Sequence, residues 1–493
     1  MNYLMGIDLG TSSTKTLIID ELGRTVGIGN ASYGLQIPQI SYAEQDPEEW
    51  WQAVKKSIAE ALKKADIQSK EIRGIGFSGQ MHGMVALDEQ KKLICPAIIH
   101  LDQRSGAELE EMRSLAGNLM REELLNRPSA GMLISTIYWM KKHQPEQYDR
   151  IRYVMSPKDY IAFRLCGEIG TEYTDAAATL AFSVKNRRWC SEWFRCLGIK
   201  EDIWASVHNS YDIMGKVTKE AAEETGLSTE TSVVCGAGDS LAALTGNGVI
   251  ESGIMACNIG TSSQLAVVVD KPIFDSEMRV QTWCHTVPER WVVQCGTLNG
   301  GSALSWLRNH ILKSDRPFAE LDAEAGKTDA GADGLYFLPY LAGERTPYNK
   351  PNARGVYFGL SMMHEQGHMV RATMEGILFN LKECLGILDE MKVDRSRLIA
   401  SGGAARGVTW KQIQADILDM PVHTTEIKEE ACHGAAILAG VGVGLYANIK
   451  EACERTIRMS TAVVEPIPEH VKIYNEKQQI FHDLYFRVKD LYQ

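Results

Sequence analysis

A short motif near the start of the chain returns, altered, about halfway along it. Residues 5–15 read MGIDLGTSSTK, and residues 255–263 read MACNIGTSS. Each copy is a short apolar strand that runs into Gly-Thr-Ser-Ser and out again into an apolar run, which predicts a β-hairpin. Glycine allows a tight turn close to a ligand, and the hydroxyl and N–H groups that follow it suit phosphate oxygens. Two such hairpins predict two similar domains that face a shared phosphate-bearing ligand.

Composition narrows the class of protein. A chain of 493 residues is long enough for two or more domains with real cores. Its net charge of −11 argues against a nucleic acid or an anionic membrane as the main partner. The eleven cysteines form no C-x-x-C pair, so we expect a reduced, cytoplasmic protein. The sequence shows no signal peptide, and its most apolar later stretch, residues 435–447, is too short to span a bilayer.

Strand-like and helix-like segments alternate along both halves. Residues 47–65 carry apolar side chains at helical spacing, residues 233–238 read as a strand ending in glycine, and residues 368–391 read as a long helix. This alternation predicts an α/β fold in each half. We therefore expect two domains, residues 1–247 and 248–493, in contact across a cleft.

The two hairpins differ where Asp8 in the first is Asn258 in the second. A carboxylate beside a phosphate-binding turn would repel bare phosphate, unless a Mg²⁺ ion lies between them. The alternative is an aspartate that only caps the turn, which is common before glycine. The repeat favours the metal interpretation, and no transition-metal site is expected.

Two further residues have a chemical and a structural interpretation. Asp239 follows a Gly-rich strand and precedes a run of small residues, which predicts a sharp strand-to-helix turn. It could accept a proton from a substrate hydroxyl, but aspartate is also a common helix N-cap. His82, between two strand-like runs, could bind a substrate hydroxyl or be a satisfied structural histidine. The residues alone leave both questions open.

Several motifs together resemble the FGGY carbohydrate kinases over essentially the whole chain. They are the two hairpins, the loop Gly402-Gly403-Ala404, and the segment 355–360 (GVYFGL) with the helix after it. The resemblance implies an α/β fold of two actin-like, ribonuclease-H-like domains around a central catalytic cleft. It implies ATP and Mg²⁺ as cofactors, with Asp8 and Asp239 near the metal through water. It makes Asp239 the catalytic base, and it implies this ATP-binding set: Thr11, Ser12, Ser13, Lys15, Gly260, Thr261, Ser262, Gly402, Gly403 and Ala404.

Within the family, residues 78–83 (SGQMHG), 44–47 (EQDP) and 338–347 (LPYLAGERTP) are similar to those of xylulokinases. This similarity implies phosphorylation of D-xylulose to D-xylulose 5-phosphate, with Met81 and His82 contacting the sugar. Asp102, Asp239 and Ser240 complete the expected substrate-binding set. Three positions depart from the usual pattern: His100, Leu101 and Ser240. They change the hydrogen bonds offered to a substrate, so the exact sugar stays open.

Other functions therefore remain as alternatives. One is a kinase of the same family for L-xylulose, ribulose, gluconate or a tetritol. Another is an actin-like ATPase without sugar kinase activity, although that class needs a further peptide-binding domain. A catalytically dead sugar sensor is a third, which the presence of both Asp8 and Asp239 disfavours. The expected partners are a small sugar and ATP, without nucleic acid or membrane, and a homodimer is plausible from the family.

Overall fold

The computed structural model of the chain describes residues 2–492. Short and long strands alternate with helices along this range, as the sequence predicted. The strands are β1 (Tyr3–Leu9), β2 (Ser13–Asp20), β3 (Thr25–Ser32), β4 (Glu44–Gln45), β5 (Ile72–Gly79), β6 (Val85–Leu87), β7 (Ala97–Ile98), β8 (Tyr153–Met155), β9 (Thr171–Glu172), β10 (Phe182–Ser183), β11 (Arg188–Trp189), β12 (Val207–His208), β13 (Ile213–Lys216), β14 (Ser232–Val234), β15 (Ala237–Gly238), β16 (Ile254–Ile259), β17 (Ser263–Val269), β18 (Gln281–Cys284), β19 (Trp291–Thr297), β20 (Tyr336–Leu338), β21 (Val356–Phe358), β22 (Arg397–Gly402) and β23 (Val422–Thr424).

The helices range from six to twenty-five residues. They are α1 (Pro47–Ala65), α2 (Leu109–Ala116), α3 (Leu133–His143), α4 (Pro145–Arg150), α5 (Pro157–Cys166), α6 (Tyr173–Ala178), α7 (Ser191–Leu197), α8 (Lys219–Thr225), α9 (Asp239–Gly246), α10 (Gly301–Trp306), α11 (Phe318–Ala325), α12 (Gln366–Glu390), α13 (Val408–Leu418), α14 (Glu430–Gly442), α15 (Ile449–Thr456) and α16 (Pro468–Val488).

The chain divides into two compact units, and neither is continuous in sequence. The first unit contains Met1–Ile250, Thr282–Trp291 and Ile427–Arg458. The second contains Glu251–Gln281, Val292–Glu426 and Met459–Gln493. These units do not coincide with the continuous ranges 1–247 and 248–493, because a late segment that includes α14 packs with the first. The continuous division stays a prediction.

The main sheet of the first unit is built around the first hairpin. Its strand order is β13-β14-β5-β1-β2-β3, with β15 also pairing with β5. In β1 and β2, Gly6 lies opposite Leu17, while Thr16 lies opposite Gly29 of β3. Neighbouring residues of a strand point to opposite faces, and Gly6 meets α14 while Gly29 meets α1. The sheet is therefore covered by α1 on one face and α14 on the other.

The main sheet of the second unit repeats this local arrangement. Within the second unit its strands lie in the order β19-β17-β16-β22-β23. Strand β16 is antiparallel to β17 and parallel to β22, just as β1 is antiparallel to β2 and parallel to β5. The predicted repeat is thus a repeat of topology, and the α/β fold class is confirmed. The mixed sheets with flanking helices are consistent with the actin-like fold.

Two expectations from composition can be compared with the fold. Cys235, Cys257 and Cys295, which lie within apolar runs of the sequence, are fully buried free thiols. Within residues 2–492, every helix is too short or too polar to cross a membrane.

Candidate active site

The first hairpin places Asp8 between two partner strands. Asp8 lies opposite Lys15 on β2 and Ser78 on β5, and the Ser78 hydroxyl donates a hydrogen bond of 2.7 Å to its Oδ1. The turn is closed by the Gly10 N–H, which donates to the Ser13 carbonyl at 3.0 Å. Within this turn Ser12 is exposed, as a ligand-binding loop requires.

The predicted ATP-binding lysine already has a partner in the first unit. Lys15 Nζ lies 2.7 Å from a carboxylate oxygen of Glu429, just before α14. The pair is partly exposed, with 40% of the Lys15 side chain accessible. Such a pair contributes little stability, because water screens it. Lys15 can therefore exchange Glu429 for another anion at small cost.

The second hairpin has the same plan with a shorter turn. Residues 260–262 connect the Ile259–Ser263 pair, whereas residues 10–13 connect Leu9 and Thr14 in the first hairpin. The Gly260 N–H donates to the Ser262 carbonyl at 3.0 Å, and Thr261 is exposed. The second loop of the ATP-binding set is adjacent, because Gly402 pairs with Ile259.

Each hairpin has a serine on its neighbouring parallel strand, Ser78 in the first unit and Ser401 in the second, and no role was expected for either. Asn258 Nδ2 donates a hydrogen bond of 2.9 Å to Ser401 Oγ, at the position equivalent to the Ser78–Asp8 contact. The available signal was a second repeat: Ser78 and Ser401 each precede a glycine at the end of a strand. The repeated unit is therefore a hairpin plus one parallel strand.

Asp239 stands at a sharp strand-to-helix turn, although the strand before it is not continuous. The predicted strand 233–238 is broken into β14 and β15, because Gly236 has a φ of +81°. A Cβ at Gly236 would lie 2.2 Å from the Phe77 carbonyl oxygen, so only glycine fits this close approach. The N-cap of α9 is Gly238, so Asp239 is the first helical residue and not the cap. Its Oδ1 accepts the Ser240 N–H at 2.6 Å.

Asp8 and Asp239 form a pair of half-buried carboxylates. Burial raises the pKa of Asp239 to about 7, with a further contribution from the negative charge of Asp8. Burial also raises the pKa of Asp8, opposed by the Ser78 hydrogen bond and the Lys15 charge. Two acidic groups that resist ionising together are typical of a proton-transfer site or of a site for a cation.

These two carboxylates fit Mg²⁺ better than a metal that needs a protein cage. Among residues 2–492 there is no group of three or more histidine, cysteine, aspartate or glutamate side chains that could hold a metal ion. In nucleotide enzymes Mg²⁺ commonly uses one or two carboxylates, together with water and substrate phosphates. The repulsion between Asp8 and Asp239 is the feature that a cation would relieve.

Residues 364–368 form an H-E-x-x-H pattern, although no transition-metal site is expected. In zinc peptidases both histidines of this pattern lie on one helix face. Here α12 begins only at Gln366, and Glu365 is its N-cap. His368 Nδ1 accepts the Glu365 N–H at 3.0 Å, and its Nε2 lies 3.0 Å from Asp333 Oδ2. The pattern therefore caps a helix.

The residues predicted to contact sugar lie beside the Asp239 turn. Ser240 Oγ donates to the Met81 sulfur at 3.2 Å, which ties the two segments together. His82 has a φ of +71° and its Nδ1 is 2.8 Å from the Ala178 carbonyl oxygen. Its ring is 5.6 Å from the ring of Trp283, a residue that no sequence motif indicated. These contacts place Met81, His82, Asp239 and Ser240 in one locality.

Asp102 has a different environment from the other predicted sugar contacts. Its carboxylate is 1% exposed and accepts hydrogen bonds from Arg104 Nε and, at 2.7 Å, from the Ala43 N–H. Arg104 in turn pairs with Glu44 at 2.6 Å and lies over the Tyr42 ring. A sugar contact by Asp102 stays a prediction, since the bonds observed here connect it to Arg104 and to the Ala43 backbone.

Comparison with known proteins gives matches along most of the chain. The N-terminal domain of the FGGY family of carbohydrate kinases matches residues 3–246, and its C-terminal domain matches residues 255–443. Xylulose kinase of Bacillus subtilis (strain 168) is 33% identical over 491 residues, covering 100% of this chain and 98% of the relative. Gluconokinase of the same organism is 34% identical over 498 residues, covering 98% and 95%. A crystal structure of a xyloylose kinase from Brucella ovis has a TM-score of 0.92 at 31% identity, covering 99% and 100%.

Proposed function

Because the chain belongs to the FGGY family of carbohydrate kinases, we propose that its acceptor is the primary hydroxyl of a ketopentose. D-xylulose, converted to D-xylulose 5-phosphate, is the substrate we favour. As a member of this family, the protein is a phosphotransferase that uses ATP and acts on a sugar hydroxyl. The choice of sugar is supported by the Met81-His82 pair beside Asp239, where Ser240 contacts the Met81 sulfur.

In this proposal Asp239 is the general base. The sugar oxygen forms a bond to the γ-phosphorus of ATP, the bond from that phosphorus to the β,γ-bridging oxygen breaks, and ADP leaves. The hydroxyl proton passes to Asp239, whose pKa of about 7 suits a base that works near neutral pH. Phosphoryl transfer depends mainly on positioning and electrostatics, so the Gly236 turn that positions Asp239 matters in addition to the basicity of Asp239.

The two hairpin turns are the proposed phosphate-binding elements. In the first unit Thr11, Ser12 and Ser13 offer hydroxyl and N–H groups, and Lys15 offers a cation that can exchange Glu429 for phosphate. In the second unit Gly260, Thr261 and Ser262 offer the same groups beside a neutral Asn258, with the adenosine side assigned to Gly402, Gly403 and Ala404. Asp8 and Asp239 would hold Mg²⁺ through water. Once bound, Mg²⁺ neutralises phosphate charge during transfer.

Gluconate is the second candidate acceptor. Gluconokinase of Bacillus subtilis is about as similar to this chain as the xylulose kinase is. Ser240 also departs from the asparagine that the resemblance leads us to expect, and it uses its hydroxyl on Met81. A panel of D-xylulose, L-xylulose, ribulose, gluconate and erythritol, each assayed for sugar-dependent ADP release, separates the candidates. Release at one rate regardless of sugar would contradict a kinase function.

Asp239→Asn tests the base. The amide cannot accept the proton, so we expect kcat to fall by about 10²–10⁴, while sugar binding measured by calorimetry and the thermal midpoint stay close to wild type. Asp202→Asn is the matched control, since Asp202 is exposed and pairs only with Arg152. Near-wild-type turnover by Asp239→Asn would show that the base is another group.

We propose a homodimer from the family resemblance alone, and a cytoplasmic location from the cysteine pattern of the sequence. Light scattering coupled to size-exclusion chromatography measures the first directly, and a mass of one chain at working concentration would contradict it.

A further inference from the structure

One short helix, α6, forms a hydrogen bond with the backbone of the turn that carries Asp239. The Gly238 N–H, one residue before Asp239, donates a hydrogen bond of 2.8 Å to Thr174 Oγ1 near the start of α6. The same hydroxyl donates to Glu172 Oε1 at 2.8 Å. Thr174 is fully buried, so water cannot replace it as a partner for the Gly238 amide.

The helix is itself anchored in a buried charged cluster. Glu172 caps α6 by accepting the Thr174 and Asp175 N–H groups at 2.7 and 3.0 Å. The Lys158 ammonium lies 3.3 Å from Glu172 and also donates to the Cys235 carbonyl at 3.3 Å. Lys158 and Glu172 have no exposed side-chain surface. The cluster therefore contacts the Asp239 turn at Cys235 as well as at Gly238.

A third connection fixes the bend at Gly236. Ser210 Oγ donates to Glu172 Oε2 at 3.1 Å, while the Ser210 carbonyl accepts the Gly236 N–H at 2.8 Å. Burying charges is costly, and a buried ion pair is often no more stable than apolar packing of the same volume. What this cluster supplies is geometry, because the cluster and the residues bonded to it contact the backbone of the turn at Cys235, Gly236 and Gly238.

The other end of α6 holds the predicted sugar contact. The Ala178 carbonyl oxygen, in the last residue of α6, lies 2.8 Å from His82 Nδ1. Thr174 and Ala178 are four residues apart, which is about 6 Å along a helix axis. One turn of helix thus connects the backbone beneath Asp239 to the side chain of His82.

We propose that α6 is a positioning element that sets the distance between the base Asp239 and the sugar contact His82, with Thr174 as its decisive side chain. This inference rests on the proposed function of those two residues. It predicts that loss of the Thr174 hydroxyl shifts Asp239 relative to the reacting hydroxyl. A displacement of about 1 Å at a reacting group can cost about 10²-fold in rate.

Thr174→Val keeps the shape of the side chain and removes the hydroxyl. We expect kcat to fall at least tenfold while KM for ATP stays within twofold, and Thr174→Ser, which restores the hydroxyl, to recover most of the rate. The matched control is Thr225→Val in α8. Thr225 is also buried, and its hydroxyl also accepts a backbone N–H, from Leu227. The control should lose stability without losing kcat.

A double-mutant cycle separates positioning from general damage. If Thr174 acts through Asp239, adding Thr174→Val to Asp239→Asn should lower the residual transfer rate little further. If Thr174→Val impairs the enzyme in some other way, the fold-losses of the two single variants should multiply in the double variant. An active Asp239→Asn would refute the base assignment and, with it, the inference that rests on it. An inactive Asp239→Asn with a folded, fully active Thr174→Val would refute the positioning role alone.

A second variant covers the case in which Thr174→Val does not fold. Ser210→Ala removes one hydroxyl from Glu172 and leaves Thr174 in place. We expect kcat to fall at least threefold with KM for ATP unchanged, and an unchanged kcat would overturn the proposal.

Discussion

The difference between Asp8 and Asn258 reverses a hydrogen bond at two otherwise equivalent strand ends. At the first, Ser78 donates to the Asp8 carboxylate, and at the second, Asn258 donates to Ser401. A carboxylate can only accept, while an amide can also donate. This one residue change is the basis of our proposal that the first hairpin lies near a cation and the second is a neutral phosphate site.

The raised pKa of Asp239 gives a pH prediction for the free enzyme. A base works deprotonated, and burial with the Asp8 charge moves its pKa upward to about 7. We therefore expect kcat/KM for the sugar to fall about tenfold per pH unit below pH 7, instead of below pH 4. The pH profile of kcat/KM at constant ionic strength measures this limb.

Asp8→Asn provides the comparison, because it removes the neighbouring charge. The acidic limb of its residual activity should move to lower pH, since one of the two causes of the raised pKa is gone. A wild-type profile that stays flat down to pH 5 would contradict the raised pKa of Asp239.

At the scale of elements, α14 lies unusually close to the first sheet. A Cβ on Gly76 would be 2.0 Å from the Ala435 carbonyl oxygen, and one on Gly6 would be 1.9 Å from the Cys432 carbonyl oxygen. Any side chain at these strand positions would push the helix backbone away. Gly6 and Gly76 are therefore packing sites, where the absence of a side chain lets α14 approach the sheet.

Gly76→Ala should consequently be destabilising. We expect a loss of about 1–3 kcal/mol in the free energy of unfolding, the usual cost of overpacking, visible as a lower midpoint in urea. Gly106→Ala is the control, since a Cβ there would meet nothing within 4 Å. Equal midpoints for the two variants would show that α14 moves away without cost.

The motif at residues 44–47 also connects separate elements of the fold. Gln45 Nε2 donates to the Thr11 carbonyl at 2.7 Å and its Oε1 accepts from Gln80 Nε2 at 2.9 Å. Asp46 caps α1, and Pro47 is its first residue. The motif thus begins a helix and connects the first hairpin to the segment that precedes Met81.

At the scale of the whole molecule, the first unit depends on a segment from late in the chain. Helix α14, within Ile427–Arg458, covers β1 and β5 and packs on α9. A fragment of residues 1–247 would leave that apolar face in water. We expect this fragment to lack a cooperative unfolding transition, measured by circular dichroism in urea.

Joining residues 427–458 to residues 1–250 through a flexible glycine-serine linker should restore part of that cooperativity. A monomeric 1–247 fragment with a sharp unfolding transition would support the continuous domain boundary predicted from the sequence.

Local features were the ones that could be predicted well. Helix α1 spans the predicted residues 47–65, because a proline start, an Asp46 cap and a helical apolar pattern coincide there. The break at Gly236 was not predictable, because it follows from the approach of Phe77, which is distant in sequence. For the same reason, the sequence did not predict that Lys15 pairs with Glu429 or that His82 contacts the Ala178 carbonyl.

The sequence by itself determined the family, the α/β class and the repeated hairpins, since these depend on short-range patterns of glycine, hydroxyl and apolar residues. Only the tertiary structure decided that Asp8 and Asp239 share one electrostatic environment, and that α6 connects the Asp239 turn to His82. Those facts depend on hydrogen bonds and burial between segments about 65 to 230 residues apart in the chain, which no local pattern encodes.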